Sequence, residues 1–341
     1  MQTTHEVHVG DARSMEAVDD ESVQLVVTSP PYPMVEMWDD LFAGLDPTVG
    51  DLLDAGADQQ AFERMHDLLA PVWDELARVL APGGIACINV GDANRRVDDE
   101  FRLYPNHAVL QRRLAERGLR PLPDLLWRKP SNKPSKFMGS GMVPPNAYVA
   151  HEHEYVLPFR KGDLRSLAAG ADRRYEAAYF WEERNDWFSD LWEDVQGVDQ
   201  ALPDEELRER SGAFPVEVPY RLICMFSVYG DTVLDPFWGT GTTSLAAMLA
   251  GRSSVGYELD REFSGVFGER VDRVPDLSRE VIERRLADHR AFVEDHDGEL
   301  GYDAEYYGFP VKTKQEREIR FYAVDGVEGS DGRYVARHLP Y

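Results

Sequence analysis

Two short segments carry residue types whose spacing suits a reaction. The first is Thr28-Ser29-Pro30-Pro31-Tyr32, which closes the apolar run of residues 23–28. Two successive prolines cannot continue a sheet ladder, so a strand must end there. The rigid Pro30-Pro31 pair then presents a hydroxyl, backbone carbonyls and an aromatic face in one fixed arrangement. That arrangement suits a planar ring bearing an exocyclic amine. Tyr32 stacks on the ring, while Ser29 Oγ and the Pro30 carbonyl accept the two N–H hydrogens. Such bonds favour a tetrahedral nitrogen whose lone pair faces an electrophile. The plainer reading is a Pro-rich turn that only closes a strand.

The second segment, VLDPFWGTGTTSLAAMLAGRSSVGYELD (233–260), reads as a strand, a Gly loop, a helix and a second strand ending in an acid. Gly239 and Gly241 allow a tight turn and close approach to a ligand, and the helix beyond offers free N–H groups. Glu258, at the tip of the next strand, stands where an acid can take both hydroxyls of a ribose. An NTPase loop needs Gly-Lys-Ser/Thr, and this loop has no Lys. A dinucleotide loop needs a third glycine, and Ser244 stands in its place. S-adenosylmethionine, with a ribose and no phosphate, is the remaining candidate; a Gly-rich turn without a ligand is the alternative.

The elements that must position these loops follow from pattern. Residues 6–9 and 85–90 read as strands, as do 125–127, 155–159, 232–234 and 254–258. Helical spacing of apolar residues covers 62–80, with a stop at Pro82-Gly83-Gly84; further helices fall at 106–117, 219–229, 244–250 and 277–294. Residues 36–60 read as a loop or insertion, and 161–212 are polar, aromatic-rich and weakly patterned. The alternation of strands and helices predicts an α/β fold on a parallel sheet.

The chain has 341 residues, 43% of them hydrophobic, which excludes disordered and disulfide-stapled classes. Cys87 and Cys224 stand alone, so no zinc site is expected. No apolar run reaches the roughly 18 residues of a membrane span, and nothing at the N-terminus reads as an export signal, which suits a cytoplasmic protein. The formal charge is −25, and only six of the basic residues are Lys, a balance resembling proteins of salt-in halophiles. Taken alone, that charge argues against a nucleic-acid partner. Residues 101–136 reverse it, with nine basic residues against Glu116 and Asp124. One solvated helix face explains part of this excess, and the remainder could hold phosphates.

Together, TSPPY and DPFWGTGTT resemble the β-class exocyclic-amine DNA methyltransferases. The resemblance runs over residues 7–260, through RVLAPGG, NVGD, LLWRKP, HEYVLPFRKG, DLWEDV, AFPVEVPYRLI and GRSSVGYELD. It implies the S-adenosylmethionine-dependent, Rossmann-like methyltransferase fold: a mostly parallel seven-stranded sheet with one antiparallel strand and a circularly permuted motif order. It also implies that Asp235, Pro236, Phe237, Gly239, Gly241, Thr242, Thr243 and Thr28 surround the methionine and ribose end of the cofactor. Glu258 would take the ribose, Asp11 the adenine amine, and Phe214-Pro215 would close the methionine side. Ser before PPY is typical of cytosine-N4 members, whereas adenine-N6 members mostly carry Asp or Asn. With Ser29 there, no strong general base is expected and the proton would leave to water.

By the same resemblance the partner is double-stranded DNA, with the target base flipped out onto Tyr32. Trp38 and Trp127 are candidates for a second stacking aromatic, with core packing the plainer reading of each. Arg128, Lys129, Lys133 and Lys136 would anchor phosphates. Base reading would fall to 161–212, with Arg173, Arg174 and Arg184 among Tyr175, Tyr179, Phe180 and Trp181. The implied organisation is a catalytic half (1–160), a target-recognition insert (161–212), a cofactor half (213–260) and an acidic extension (261–341) able to form a hairpin through Gly326–Gly332. His151 and His153 lack a third ligand, so no metal is expected. A monomer or homodimer, a cognate restriction endonuclease and the palindrome CTAG complete the expectation. Adenine-N6 or RNA methylation and a non-catalytic DNA-binding regulator are the alternatives.

Overall fold

A computed structural model describes residues 1–97, 100–129, 142–168, 171–195 and 214–341. The first half comprises β1 (Gln2–Val9), β2 (Val23–Thr28), α1 (Asp39–Leu45), α2 (Pro47–Asp54), α3 (Asp58–Val79), β3 (Leu80–Val90), β4 (Ala93–Val97), β5 (Glu100–Tyr104), α4 (Asn106–Glu116), β6 (Leu119–Pro121), β7 (Leu125–Arg128) and β8 (His153–Lys161). Next come α5 (Asp172–Glu176), α6 (Trp181–Trp187), β9 (Leu191–Trp192), α7 (Glu217–Phe226), β10 (Thr232–Asp235), α8 (Thr242–Ala250), β11 (Ser253–Glu258), α9 (Arg261–Val271) and α10 (Val274–Asp295). The last elements are β12 (Tyr302–Asp303), β13 (Pro310–Val311), β14 (Tyr322–Ser330) and β15 (Arg333–Pro340).

The expected sheet is present. Its seven core strands run β1-β11-β10-β2-β3-β8-β7, parallel from β1 to β3, with β8 antiparallel to both neighbours. The two motif strands, far apart in the chain, pair side by side, Val233 with Leu25 and Leu234 with Val26. The sheet is wider than expected: β15 and β14 extend it beyond β1, β9 extends it beyond β7, and β6 pairs with β8. The hairpin foreseen at Gly326–Gly332 is this β14–β15 pair.

Alternation along β2 divides the core. Leu25 and Val27 face one apolar cluster with Trp127, Trp192 and Leu245; Val26 faces the other with Trp73, Leu76 and Ile88. Two expectations need correction. Residues 36–60 are mostly helical, not a loop. Asp46 accepts the Thr48 N–H at 3.0 Å and Pro47 occupies the first turn, so capping starts a helix too short to show periodicity. Nor does α3 run on to Pro82-Gly83-Gly84, because β3 begins at Leu80. The register jumps from Val23–Leu80 to Leu25–Ile85, and the extra residues bulge out with Gly83 at φ +77° against the Arg165 backbone.

The basic excess at 101–136 is largely paired. Arg113 meets Asp67 at 2.7 Å, Arg117 meets Asp74 at 2.7 Å and Arg102 meets Asp58 at 2.6 Å, tying α4 and β5 to α3. Arg120 and Arg112 pair with Asp163 and Glu116. The window thus spends much of its charge inside the fold. Asp58 is the least exposed acid of the α3 set, and it also accepts the buried Tyr104 hydroxyl. Asp58→Ala should strand that phenol and cost about 1–3 kcal/mol in denaturant unfolding, with cofactor affinity unchanged.

Candidate functional site

Because β2 and β10 are parallel neighbours, the loops leaving them emerge from the same edge of the sheet. They share one cleft of about 1580 Å³. Ser29, Pro30, Pro31 and Tyr32 line it from one loop, and Asp235, Pro236, Phe237 and Gly239 from the other. The meeting of these loops is the geometry on which the sequence reading depended.

At the glycine-loop end, Asp235 is buried at the tip of β10. Its Oδ1 accepts the Thr28 hydroxyl at 2.6 Å and the Phe237 N–H at 3.1 Å. Burial pushes this carboxyl up to about 6, and the nearby Glu258 charge adds to the rise. Glu258 lies across the loop, with Oε2 accepting the Gly239 N–H at 2.7 Å and Oε1 the Asp260 N–H at 2.9 Å; burial raises its carboxyl too. Asp11 also lines the cleft, where Arg13 holds it through Nε at 2.8 Å, and the Gly10 N–H donates to the Glu258 carbonyl at 2.9 Å. Phe214, Thr242 and Thr243 complete this end.

Thr28, Pro215 and Gly241 stand behind the lining rather than in it. Thr28 acts through Asp235. Gly241 shapes the turn at φ +77°, where a Cβ would strike the Phe267 ring and come within 2.6 Å of Trp238. Trp238 donates through Nε1 to Ser244 Oγ at 2.8 Å, and Tyr334 of β15 packs edge-on against Phe267. A buried chain of bonds continues from Ser244 through Ser254 and His5 to Thr3 and His338, each link 2.8–2.9 Å. The C-terminal hairpin therefore braces the loop from behind.

At the other end, Tyr32 Oη lies 2.8 Å from Ser29 Oγ, donates to Glu154 Oε2 at 3.1 Å and accepts from Asn89 Nδ2 at 2.8 Å. Lys129 donates to Glu154 Oε1 at 2.8 Å. The Tyr32 ring lies so near Gly91 that a Cβ there would sit 3.1 Å from it. Trp38 lines the cleft, as do His151 and His153. Trp127 does not: it is fully buried, with Nε1 donating to the Val195 carbonyl at 2.8 Å, because its register on β7 points it into the core.

Sequence reasoning missed Glu154 and Asn89. With Ser29 in the motif no strong general base was expected; Glu154, from β8, accepts the Tyr32 hydroxyl. The signal lay in two polar residues at the ends of apolar strands, Asn89 on β3 and Glu154 on β8.

The positions assigned to DNA are scattered. Arg128 donates to Glu193 at 2.8 Å, while Lys133 and Lys136 fall outside the described residues. Arg173 and Arg174 are exposed on α5, and Arg184 lies 4.8 Å over the Phe188 ring; none of the three lines the cleft. The aromatics beside them pack inward. Phe180 is fully buried and stacks on His289, and Tyr179 lies against Trp187 and Phe188.

The glycine turn has a testable consequence. Gly241→Ala puts a Cβ at a left-handed position and into two rings. It should lower stability by about 2 kcal/mol or more in thermal or denaturant unfolding and weaken cofactor binding with it.

The cleft fits an adenosyl cofactor. The buried Asp235 and the half-buried Glu258 flank the loop, and nothing lies within 4 Å of where a Gly239 Cβ would be, so a ligand can approach the backbone there. Comparison with known proteins agrees. Residues 23–267 match the N6/N4 family model described as DNA methylase. The type II methyltransferase M.MthZI of Methanothermobacter thermautotrophicus is 50% identical over 325 residues, 94% of this chain and 91% of that protein. M.MjaI of Methanocaldococcus jannaschii is 49% identical over 280 residues, 79% and 91% of the two chains. The structure of a putative DNA modification methylase from Thermus thermophilus, complexed with S-adenosyl-L-methionine, superposes with TM-score 0.62 at 33% identity, covering 78% of this chain and 92% of that one. The PvuII DNA methyltransferase shares the fold, with TM-score 0.54 at 19% identity over 84% and 94%. The chain belongs to the N6/N4 DNA methylase family, and S-adenosylmethionine is its cofactor.

Proposed function

We propose that this protein is a type II DNA methyltransferase that modifies the exocyclic N4 of a flipped-out cytosine, with CTAG as the first recognition sequence to test. The observation that carries the reading is Ser29 at the shared cleft, one hydrogen bond from Tyr32 and on the loop facing Asp235. A hydroxyl there accepts from an amine without adding a charge, which suits the cytosine amine. Ser29 is also the residue that, by the motif resemblance, separates cytosine-N4 from adenine-N6 members.

The chain's own residues divide the work. Asp235 and Glu258 hold the cofactor at its methionine and ribose ends, Asp11 faces the adenine, and Phe214 closes the methionine side. When bound, the cofactor supplies a methyl group made electrophilic by a sulfonium. Tyr32 stacks on the flipped ring, with Trp38 as the second aromatic on the cleft wall. Ser29 Oγ and the Pro30 carbonyl hold the amine hydrogens so that the nitrogen lone pair points across the cleft. These bonds strengthen as the nitrogen becomes tetrahedral, so they favour the transition state over the bound ground state. Lys129, Arg128 and the neighbouring Lys133 and Lys136 anchor phosphates, and the segment 161–212 reads the site. A cognate restriction endonuclease is the partner that such a modification would protect against.

Incubation with a duplex containing CTAG, followed by nucleoside mass spectrometry, should yield N4-methylcytosine. N6-methyladenine as the product would overturn the cytosine reading. Tyr32→Ala should lose most methyl transfer while keeping cofactor affinity, whereas Asp235→Ala should lose cofactor affinity first. The Asp235 carboxyl, raised to about 6, adds a pH dependence. Protonation on the acid side removes the negative charge that faces the cationic methionine end. Cofactor binding by calorimetry should therefore weaken as pH falls through about 6, and Asp235→Asn should flatten that profile.

A further inference from the structure

The transfer step leaves the Glu154 carboxylate without a part, yet the structure builds it firmly into the amine side of the cleft. Lys129 holds Oε1 at 2.8 Å and Asn89 Nδ2 holds Oε2 at 2.7 Å. The opposite orientation of the Asn89 amide would set its oxygen against the carboxylate, so Nδ2 is the donor to both Glu154 and Tyr32.

Hydrogen bookkeeping then fixes a direction. A carboxylate only accepts, so its contact with Tyr32 Oη consumes the single phenolic hydrogen. Burial and the Glu154 charge both push the phenol well above its ordinary range, so it stays protonated as a donor. Asn89 Nδ2 only donates, and it occupies one Oη lone pair at 2.8 Å. The remaining short contact, 2.8 Å between Oη and Ser29 Oγ, must be donated by Ser29. With its hydrogen committed, Ser29 has only lone pairs left to offer the cleft. A serine without this constraint can turn its hydrogen toward an amine as easily as a lone pair.

We propose that Glu154 is a positioning residue that sets the polarity of the Ser29–Tyr32–Glu154 chain, so that Ser29 meets the target amine as an acceptor. The inference rests on the reading that Ser29 faces that amine. It holds for a cytosine or an adenine target alike. Glu154→Gln keeps the shape but replaces the acceptor with an amide able to donate to Oη, which frees the chain to reverse.

The test is single-turnover methyl transfer from labelled S-adenosylmethionine to a methylatable duplex, with Glu154→Gln placed in wild-type, Tyr32→Phe and Ser29→Ala backgrounds. In the wild-type background the rate at saturating DNA should fall roughly 10- to 100-fold, with cofactor affinity unchanged. In the other two backgrounds, where the chain is already cut, Glu154→Gln should cost no more than about threefold. Glu154→Asp, which keeps the carboxylate, should recover most of the lost rate and serves if the Gln variant does not fold. A wild-type rate in Glu154→Gln overturns the proposal, and so does an undiminished loss in the Tyr32→Phe background, or a Glu154→Asp variant no faster than Glu154→Gln. Full activity in Ser29→Ala would instead bring down the functional reading beneath it, while an impaired Ser29→Ala beside an intact Glu154→Gln sinks this inference alone.

Discussion

The parallel pairing of β2 with β10 is the constraint from which the site follows. Parallel strands end at the same edge, so the loop that Pro30-Pro31 stiffens and the loop that Gly239 and Gly241 turn leave the sheet together. A shift of either strand by one residue would exchange its inward and outward faces. The alternation of Leu25 and Val27 against Val26 forbids that, since each set packs into its own apolar layer. Register, and with it the spacing of the two loops, is held by hydrophobic packing on both sides of the sheet.

Charge is distributed to match. In a chain with a formal charge of −25, Asp235 is buried and Glu258 half-buried at the glycine-loop end of the cleft, with backbone and hydroxyl donors in place of an arginine. Their raised values measure how unfavourable that placement is without a positive partner. At the other end, Glu154 lies between Lys129 and Tyr32 and is hydrogen-bonded to both. The two ends of one cleft thus use carboxylates in different ways.

Much of this was legible in the sequence because the motifs are local. A Pro-Pro pair after an apolar run and a Gly-x-Gly turn before a helix each announce their geometry within a few residues. The resemblance implied a mostly parallel seven-stranded sheet with one antiparallel strand, and the core sheet has that form. Other features depended on who faces whom. Trp127 stood next to a basic loop and left core packing and base stacking both open; its inward face of β7 makes it core. Phe180 sat among arginines and belongs to the apolar layer of the C-terminal extension. Glu154 and Asn89 come from separate strands, and only the antiparallel register of β3 with β8 brings them to Tyr32. The helices at 39–54 are too short for periodicity to find.

The buried link from Thr3 to His338 spans 335 positions of the chain. β1 lies between β11 and β15, so neither of its neighbours exists when it leaves the ribosome. During synthesis β1 must wait, unpaired, for strands made hundreds of residues later, and such distant pairings form slowly. The brace behind the cofactor loop is therefore among the last parts of the molecule to assemble. Until the β14–β15 hairpin has docked, the Pro30-Pro31 loop stands beside a glycine loop that lacks its support from Tyr334 and His338.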